Sequence, residues 1–164
     1  MTVRRLRRGE GEQLRELRLR ALAEAPYAFA TSFEAARARP AEHWEEFALK
    51  SEAAASQVTF VVLEDDPWLG MASAFLNPDE PGEAHMVQMW VDPASRGQGL
   101  GRLLVEAIAE WASERGVTRL EASVTEGNKP AEILYEGVGF LPTGDQRPLA
   151  SNPSLTEIVL ARDL

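Results

Sequence analysis

Cysteine is absent from the sequence. Its absence excludes a disulfide framework, a thiolate nucleophile and a cysteine-ligated zinc site. Histidine is scarce, and the two that are present, His43 and His85, lie far apart in the chain, so we expect no metal site. A chain without cysteine is compatible with a reducing compartment, and we expect a cytoplasmic protein.

Long hydrophobic runs are also absent. No segment approaches the roughly 20 apolar residues that a membrane-spanning helix requires, so we expect no membrane partner. Residues 1–8 are basic but lack the apolar core of a secretory signal. The 164 residues include 45% hydrophobic and 26% charged residues, which is typical of soluble globular proteins, and we expect a single domain over residues 1–164.

Basic residues are outnumbered, and the formal net charge is −9. This excess of acidic charge argues against nucleic acid as the main partner. A cationic substrate would be attracted to such a surface. The simpler interpretation, that the acidity keeps the protein soluble, is the favoured one.

Hydrophobic periodicity and turn residues predict an α/β fold with a mixed sheet, mostly antiparallel, flanked by helices. Residues 85–124 form one parallel β-α-β crossover in this prediction. Residues 156–161 are predicted to close the sheet. The predicted strands are 3–7, 58–63, 69–76, 85–91, 120–124, a strand from 140 and 156–161; the predicted helices are 11–25, a short one after Thr31 or Ser32, one opened by Pro40, 100–115 and 130–137.

Residues 100–115 are predicted to form a strong helix. Its apolar stripe is predicted to contain Leu103, Leu104, Ala107, Ile108 and Trp111, and Gly116 stands where a terminating glycine is common. The four aromatic side chains of Trp44, Phe47, Trp68 and Trp90 are predicted to fill the core rather than to line a pocket.

Glycines 97, 99 and 101 lie between a predicted strand and the start of that helix. Glycine lets backbone N–H groups approach an anion closely, and the first turn of a helix favours negative charge. Arg96 and Arg102 bracket the loop and are expected to add mobile positive charge, so a pyrophosphate is the natural ligand. No Walker sequence follows, and Leu104 replaces the last glycine of a dinucleotide fingerprint. The alternative is a purely structural role, in which the glycines form a tight strand-to-helix turn that binds no ligand.

The segment Val91–Leu104 resembles the acetyl-CoA motif of the GNAT (GCN5-related N-acetyltransferase) superfamily. Asn128, Leu134-Tyr135-Glu136 and Gly139-Phe140 match the later part of that superfamily's pattern, so the resemblance covers about residues 85–145. It implies the GNAT fold, with a V-shaped gap between the strands that end at Val91 and Val124. Pantetheine would lie in this gap, hydrogen-bonded to the backbone of Met89 and Val91.

The resemblance implies acetyl-CoA as the acyl donor and no metal. The residues expected to bind it are Met89, Trp90, Val91, Arg96, Gly97, Gln98, Gly99, Leu100, Gly101, Arg102 and Asn128. The amides of residues 98–102 would hold the pyrophosphate, and Asn128 would support the pantetheine or the tyrosine region. An ordinary turn residue is an equally good interpretation of Asn128.

Acyl transfer to an amine needs a proton acceptor, an oxyanion donor and an acid for the leaving thiolate. The resemblance makes Tyr135 the general acid, and a phenol with a pKa of about 10 suits that role. The structural alternative for Tyr135 is an interior aromatic. Backbone N–H near Met89 would stabilise the oxyanion. His85 and, second, Glu83 are the candidate bases, and a water chain is the alternative.

These residues predict an N-acetyltransferase that transfers acetyl from acetyl-CoA to a primary amine by direct attack in a ternary complex. The competing prediction is a catalytically weak CoA-binding sensor or adaptor. The acceptor is expected to be a small-molecule or peptide amine, shaped by residues 26–56, 77–83 and 142–155, for which no recognition code exists. Assembly as a homodimer is left open.

Overall fold

A computed structural model describes residues 1–164. The chain forms seven strands, five α-helices and two short 3₁₀ turns, Pro26–Ala28 and Pro93–Ser95. The strands are β1 (Thr2–Arg5), β2 (Gln57–Leu63), β3 (Trp68–Leu76), β4 (Glu83–Val91), β5 (Arg119–Thr125), β6 (Leu141–Leu149) and β7 (Asn152–Asp163). The helices are α1 (Gly11–Glu24), α2 (Phe33–Arg37), α3 (Ala41–Ala53), α4 (Leu100–Ser113) and α5 (Lys129–Gly137). No helix has the length and hydrophobicity of a membrane span.

The sheet has the strand order β1-β2-β3-β4-β5-β7-β6. All neighbouring strands are antiparallel except β4 and β5, which are parallel. The predicted mixed sheet with one β-α-β crossover is therefore confirmed. The prediction that residues 156–161 close the sheet is wrong, because β7 pairs with β5 and β6 on its two sides. The long hairpin folds back so that β6 forms the edge.

Strands β4 and β5 separate before they end. Their pairing runs from Glu83↔Arg119 to Met86↔Ala122 and stops there, although both strands continue. The remainder of β4 is irregular. The three residue steps from Val87 to Trp90 on β4 lie opposite only two on β3, from Ser73 to Met71, and Gln88 has a left-handed conformation with φ 59°. Such a bulge bends a strand locally. It lies where β4 diverges from β5.

Two hydrophobic clusters cover the two faces of the sheet. On β2, Val58 and Val62 belong to one cluster and Val61 to the other, as the twofold alternation of a strand requires. The larger cluster contains α4 and parts of α5, and the smaller one contains α1, α2 and α3. Both faces of the central strands are thus buried.

The stripe predicted for α4 is partly wrong. Leu103 is 49% exposed, whereas Leu104, Ile108 and Trp111 are buried. The buried face also includes Leu100, Val105, Ala109 and Ala112. The buried face of α4 is therefore rotated slightly from the predicted stripe, and Leu103 lies on the solvent side.

Local signals in the helices on the other face are confirmed. Ser32 caps α2, with its Oγ accepting from the Ala35 N–H at 3.1 Å, and Pro40 immediately precedes α3. Trp44 and Trp90 are buried as predicted, while Phe47 and Trp68 are half-buried. The prediction that these side chains fill the core rather than line a pocket is wrong for Trp44 and Phe47, which line one cavity, and for Trp90, which lines another. The 3₁₀ turn at Pro26–Ala28 is an addition that the sequence patterns did not indicate.

Candidate active site

A groove of about 530 Å³ lies beside the diverging end of β4. It is bounded by the end of β4, the glycine loop, the start of α4, one side of α5 and the 3₁₀ turn after α1. The lining includes every residue predicted to bind the cofactor except Gln98: Met89, Trp90, Val91, Arg96, Gly97, Gly99, Leu100, Gly101, Arg102 and Asn128. Residues distant in sequence thus meet along one open channel.

The glycine loop leaves backbone amides accessible at the start of α4. Gly97 and Gly99 have φ of 79° and 80°, a left-handed conformation that favours glycine, and a Cβ on either would meet nothing within 4 Å. The Leu103 N–H donates to Gly99 O at 3.1 Å, so α4's own ladder begins there. The N–H groups of residues 100–102 precede it and are free for an anion.

The two arginines that bracket the loop are anchored. Arg96 donates from Nε to Val91 O at 2.9 Å and from Nη2 to Glu24 at 2.8 Å. Arg102 donates from Nη2 to Gly137 O at 2.6 Å. The expectation of mobile positive charge is therefore wrong, because both guanidinium groups hold neighbouring elements in place.

Glu24 at the end of α1 organises this region, and sequence reasoning missed it. Its carboxylate accepts from Trp90 Nε1 at 2.9 Å as well as from Arg96. One side chain thereby joins α1, β4 and the loop. Its partners lie 66 and 72 residues away in the chain, so no local pattern could reveal the connection.

Gly101 serves helix packing in addition to lining the groove. It is helical, and a Cβ at this position would lie 2.9 Å from Leu134 Cδ2. The first turn of α4 therefore lies directly against α5. Gly101 is predicted to let the amides approach phosphate closely, and the structure adds a second role, since its lack of a Cβ allows α4 to pack against α5.

Asn128 lines the groove and caps α5. Its Oδ1 accepts from the Ala131 N–H at 3.5 Å, and Pro130 stands in the first turn, where its missing N–H costs little. This is a structural role for Asn128, and contact with the cofactor stays a prediction.

The turn Pro26–Ala28 forms a groove wall that the sequence did not indicate. Ala25, Tyr27 and Ala28 all line the groove, and Tyr27 is 46% exposed. Thr125 Oγ1 at the end of β5 donates to Tyr27 O at 2.6 Å. This bond fixes the wall to the strand from which β4 has separated.

Tyr135 lies in the interior beside the groove. The ring is 5% exposed, and its centroid is 5.4 Å from that of Phe140. Burial raises the pKa of Tyr135 above the ordinary value for a phenol, so the hydroxyl keeps its proton at neutral pH. The neighbouring residues Leu134 and Ala131 line the groove, whereas Tyr135 does not.

His85 lies between two carboxylates on β4 and β5. Its Nε2 is 3.3 Å from Glu83 Oε1 and its Nδ1 is 3.5 Å from Glu121 Oε1. The three side chains are half-buried, and one nitrogen or oxygen atom from each lies within 4.8 Å of the others. Two neighbouring strands bring them together, so their spacing in the sequence did not reveal the cluster. Arg119 forms salt bridges to both carboxylates, with Nε 3.6 Å from Glu83 Oε2 and Nη2 3.4 Å from Glu121 Oε2. Its guanidinium group therefore supplies positive charge to the cluster.

The His85 cluster is separate from the groove. Neither His85 nor Glu83 lines it. At a strand rise of ~3.3 Å per residue, the four residues from His85 to Met89 span at most about 13 Å, and the bulge at Gln88 shortens this distance. A base at His85 would therefore act through intervening water rather than by direct contact at Met89.

Comparison with known proteins places the chain in a recognised group. Residues 17–140, more than half of the chain, match the sequence profile of the Acetyltransferase (GNAT) family. A mycothiol acetyltransferase from Thermomonospora curvata is 35% identical over 74% of this chain and 37% of its own length. An L-2,4-diaminobutyric acid acetyltransferase from Virgibacillus pantothenticus is 30% identical over 51% of this chain and 52% of its own length. The matched region thus spans about half or less of these relatives.

Solved structures share the fold over the whole chain. An acetyltransferase of the GNAT family from Streptococcus pneumoniae superimposes with a TM-score of 0.82 at 19% identity, covering 99% of both chains. A protein from Salmonella typhimurium, solved with its cofactor acetyl-CoA, gives a TM-score of 0.81 at 19% identity, and the match covers 100% of this chain and 94% of that protein. At these identities the likeness concerns the fold.

Proposed function

Because the chain belongs to the acetyltransferase (GNAT) family, we propose that it is an acetyl-CoA-dependent N-acetyltransferase acting on a primary amine. The observation that carries the proposal is the groove at the β4–β5 divergence, where the left-handed glycines 97 and 99 present open amides beside an uncovered strand end. A diphosphate and an extended amide chain are the two chemical parts that such a groove suits.

The residues present fit this cosubstrate. The space beside Gly97 and Gly99 leaves room for phosphate oxygens to reach the amides of residues 98–102. Backbone groups of Met89 and Val91 are no longer paired with β5 and line the groove, where an extended pantetheine arm can approach them, although Val91 O already accepts one hydrogen bond from Arg96. When bound, acetyl-CoA supplies an acyl group activated as a thioester.

Tyr135 does not itself line the groove, but its neighbours Ala131 and Leu134 do, and we propose that its hydroxyl delivers the proton that the leaving thiolate requires. A buried phenol with a raised pKa is fully protonated at working pH, so every molecule carries the proton. The backbone N–H at or near Met89 is the proposed donor to the negative charge that develops on the acyl oxygen.

The amine must lose a proton before or during attack. We propose that it passes through water to His85, whose Nε2 lies 3.3 Å from the Glu83 carboxylate. Glu83 is itself held by Asn77 Nδ2 at 3.0 Å, so the pair has a fixed orientation.

A small-molecule amine is the proposed acceptor, and a peptide amine is the second candidate. Relatives carry names that specify mycothiol and L-2,4-diaminobutyric acid, both small molecules. Cytoplasmic location stays a prediction, and assembly as a homodimer stays open.

Release of free thiol from acetyl-CoA in the presence of a panel of amines tests the proposed function. We expect amine-dependent release, acetylated product of one added acetyl mass, and strong loss of both in Tyr135→Phe. The competing sensor or adaptor function predicts acetyl-CoA binding without amine-dependent release, and equal behaviour of wild type and Tyr135→Phe.

A further inference from the structure

A second cavity, of about 140 Å³, lies among α1, α2, α3 and the bulge of β4. Leu14, Arg18, Thr31, Ala36, Arg39, His43, Trp44, Phe47 and Gln88 line it. Two arginines and a histidine are included, and no aspartate or glutamate is. In a protein with a net charge of −9, this local absence of acidic groups makes the cavity electropositive.

Two of the buried side chains of this cavity have unsatisfied donors. Arg18 is 8% exposed and its Nη1 has no hydrogen-bond partner, and Trp44 is 5% exposed and its Nε1 has none either. Both groups donate and neither accepts. A buried donor without a partner costs about 1–3 kcal/mol, more when it is charged. Arg18 and Trp44 both line the cavity, together with Arg39, so a ligand there meets donor side chains and has to present acceptors.

The positive charge of Arg18 has no acidic counterpart. The guanidinium lies over the Phe29 ring, 4.6 Å from its centroid, and makes no salt bridge. Burial, followed by repulsion from Arg39, lowers the pKa of Arg18 to about 10, which still leaves it charged at neutral pH. A buried cation of this kind is stabilised by an anion that enters with the ligand.

Arg39 and His43 form the outer side of the cavity. Arg39 is exposed and donates from Nη1 to His43 Nε2 at 2.9 Å, so His43 accepts on that nitrogen and is neutral in this arrangement. Burial and Arg39 both lower the pKa of His43, which favours the neutral ring. The remaining donors of Arg39 are available at the mouth of the cavity.

The cavity adjoins the reacting end of the groove. Gln88 lines the cavity and the next residue, Met89, lines the groove, and consecutive Cα atoms are about 3.8 Å apart. His85 alternates with Met86, which packs in the α4 cluster, so His85 faces the side of the sheet that carries α1 and α2. A molecule held at Arg18 would thus lie on the same face as the proposed base.

We propose that this cavity binds a carboxylate of the acceptor, so that the enzyme acetylates amines that carry a carboxylate, such as amino acids. The inference rests on the proposed function and adds the substrate class. A carboxylate offers only acceptors and matches the planar fork of a guanidinium in a bidentate manner. Arg18 binds it inside the cavity, and Arg39 attracts it at the entrance.

Matched pairs of amines test this proposal on the full chain. The pairs are L-lysine and cadaverine, L-methionine and 3-(methylthio)propylamine, and L-phenylalanine and 2-phenylethylamine, with O-phosphoethanolamine and ethanolamine to detect a phosphate site instead. We expect at least one amino acid to be acetylated with a kcat/KM roughly tenfold or more above that of its decarboxylated partner, the scale of one lost charged hydrogen-bonded contact.

Arg18→Gln is the decisive variant, and Arg37→Gln is its control, because Arg37 is an exposed residue of α2 outside the cavity lining. Arg18→Gln is expected to abolish the preference by raising KM for the amino acid, while the amine is used as before and Arg37→Gln behaves as wild type. If Arg18→Gln does not fold, Arg39→Gln is expected to reduce the same preference.

Equal or better use of the decarboxylated amines, or a preference that survives both Arg18→Gln and Arg39→Gln, overturns the carboxylate site and leaves the proposed function intact. A preference confined to O-phosphoethanolamine likewise overturns it. If no member of any pair is acetylated, the inference fails. The proposed function fails with it only if the wider panel of amines, peptides included, also gives no amine-dependent release of thiol.

Discussion

Gly101 lies against Leu134 so closely that a Cβ on the glycine would approach the leucine Cδ2 to 2.9 Å. This contact joins the first turn of α4 to α5 and therefore sets the width of the groove at the end where the loop amides are open. The absence of a Cβ at Gly101 therefore affects both the packing of α4 on α5 and the geometry of the cofactor site.

Gly101→Val is expected to raise KM for acetyl-CoA and to lower the free energy of unfolding by about 1–3 kcal/mol, the usual cost of overpacking. Gly101→Ala is the milder control, because the flexible end of Leu134 can shift and alanine favours the helix. Adding Leu134→Ala to Gly101→Val is expected to recover part of the loss. Strict additivity of the two changes in a chemical denaturation series would contradict the contact.

Glu24→Gln is expected to raise KM for acetyl-CoA about threefold to tenfold, because a partly exposed charged contact contributes roughly 1 kcal/mol. The carboxylate holds Trp90 and Arg96, which end β4 and begin the loop. Glu16→Gln, at an exposed position of α1, is the matched control and is expected to leave KM unchanged. Steady-state kinetics with varied acetyl-CoA gives the comparison, and identical KM values in the two variants would refute the link.

Tyr135→Phe is expected to lower kcat by roughly 10²–10⁴-fold, the usual contribution of a general acid. KM for acetyl-CoA is expected to change little, since the loop and the strand backbone bind the cofactor. Because burial raises the pKa of Tyr135, its ionisation is not expected to limit kcat below about pH 10. Full turnover in the variant, with only a lower melting temperature, would make Tyr135 a purely structural residue.

Stability at alkaline pH provides an independent test of the buried phenol. The pKa of Tyr135 is raised in the folded protein, so the stability it contributes is present below the unfolded pKa of about 10 and is lost as the pH rises above it. Wild type is therefore expected to lose stability between pH 9 and 11 more steeply than Tyr135→Phe, two values that bracket the ~10 of a free phenol. Tyr27→Phe, at a 46% exposed position, is the control and is expected to follow wild type in denaturant titrations.

Local features of this fold could be predicted from the sequence. Glycines 97 and 99, together with the change from strand to helix periodicity, predict the loop and the crossover because these signals act within a few residues. Ser32 is a comparable case, since a cap uses an amide only three residues away. Features of this kind need no knowledge of tertiary packing.

Features that depend on distant partners could not be predicted. The order of β6 and β7 follows from pairing across the sheet, and the exposure of Leu103 follows from where the sheet contacts α4. The anchoring of Arg96 by Glu24 spans 72 residues. The cavity at Arg18 is assembled from three helices and a bulge, so its donors are unrelated in sequence.

The most direct test of the central claim, that the groove beside β4 binds acetyl-CoA, is a calorimetric titration of the intact chain with acetyl-CoA and, in parallel, with NAD. We predict binding of acetyl-CoA in the micromolar range, about −8 kcal/mol, and no comparable binding of NAD. Binding of NAD without binding of acetyl-CoA would contradict it.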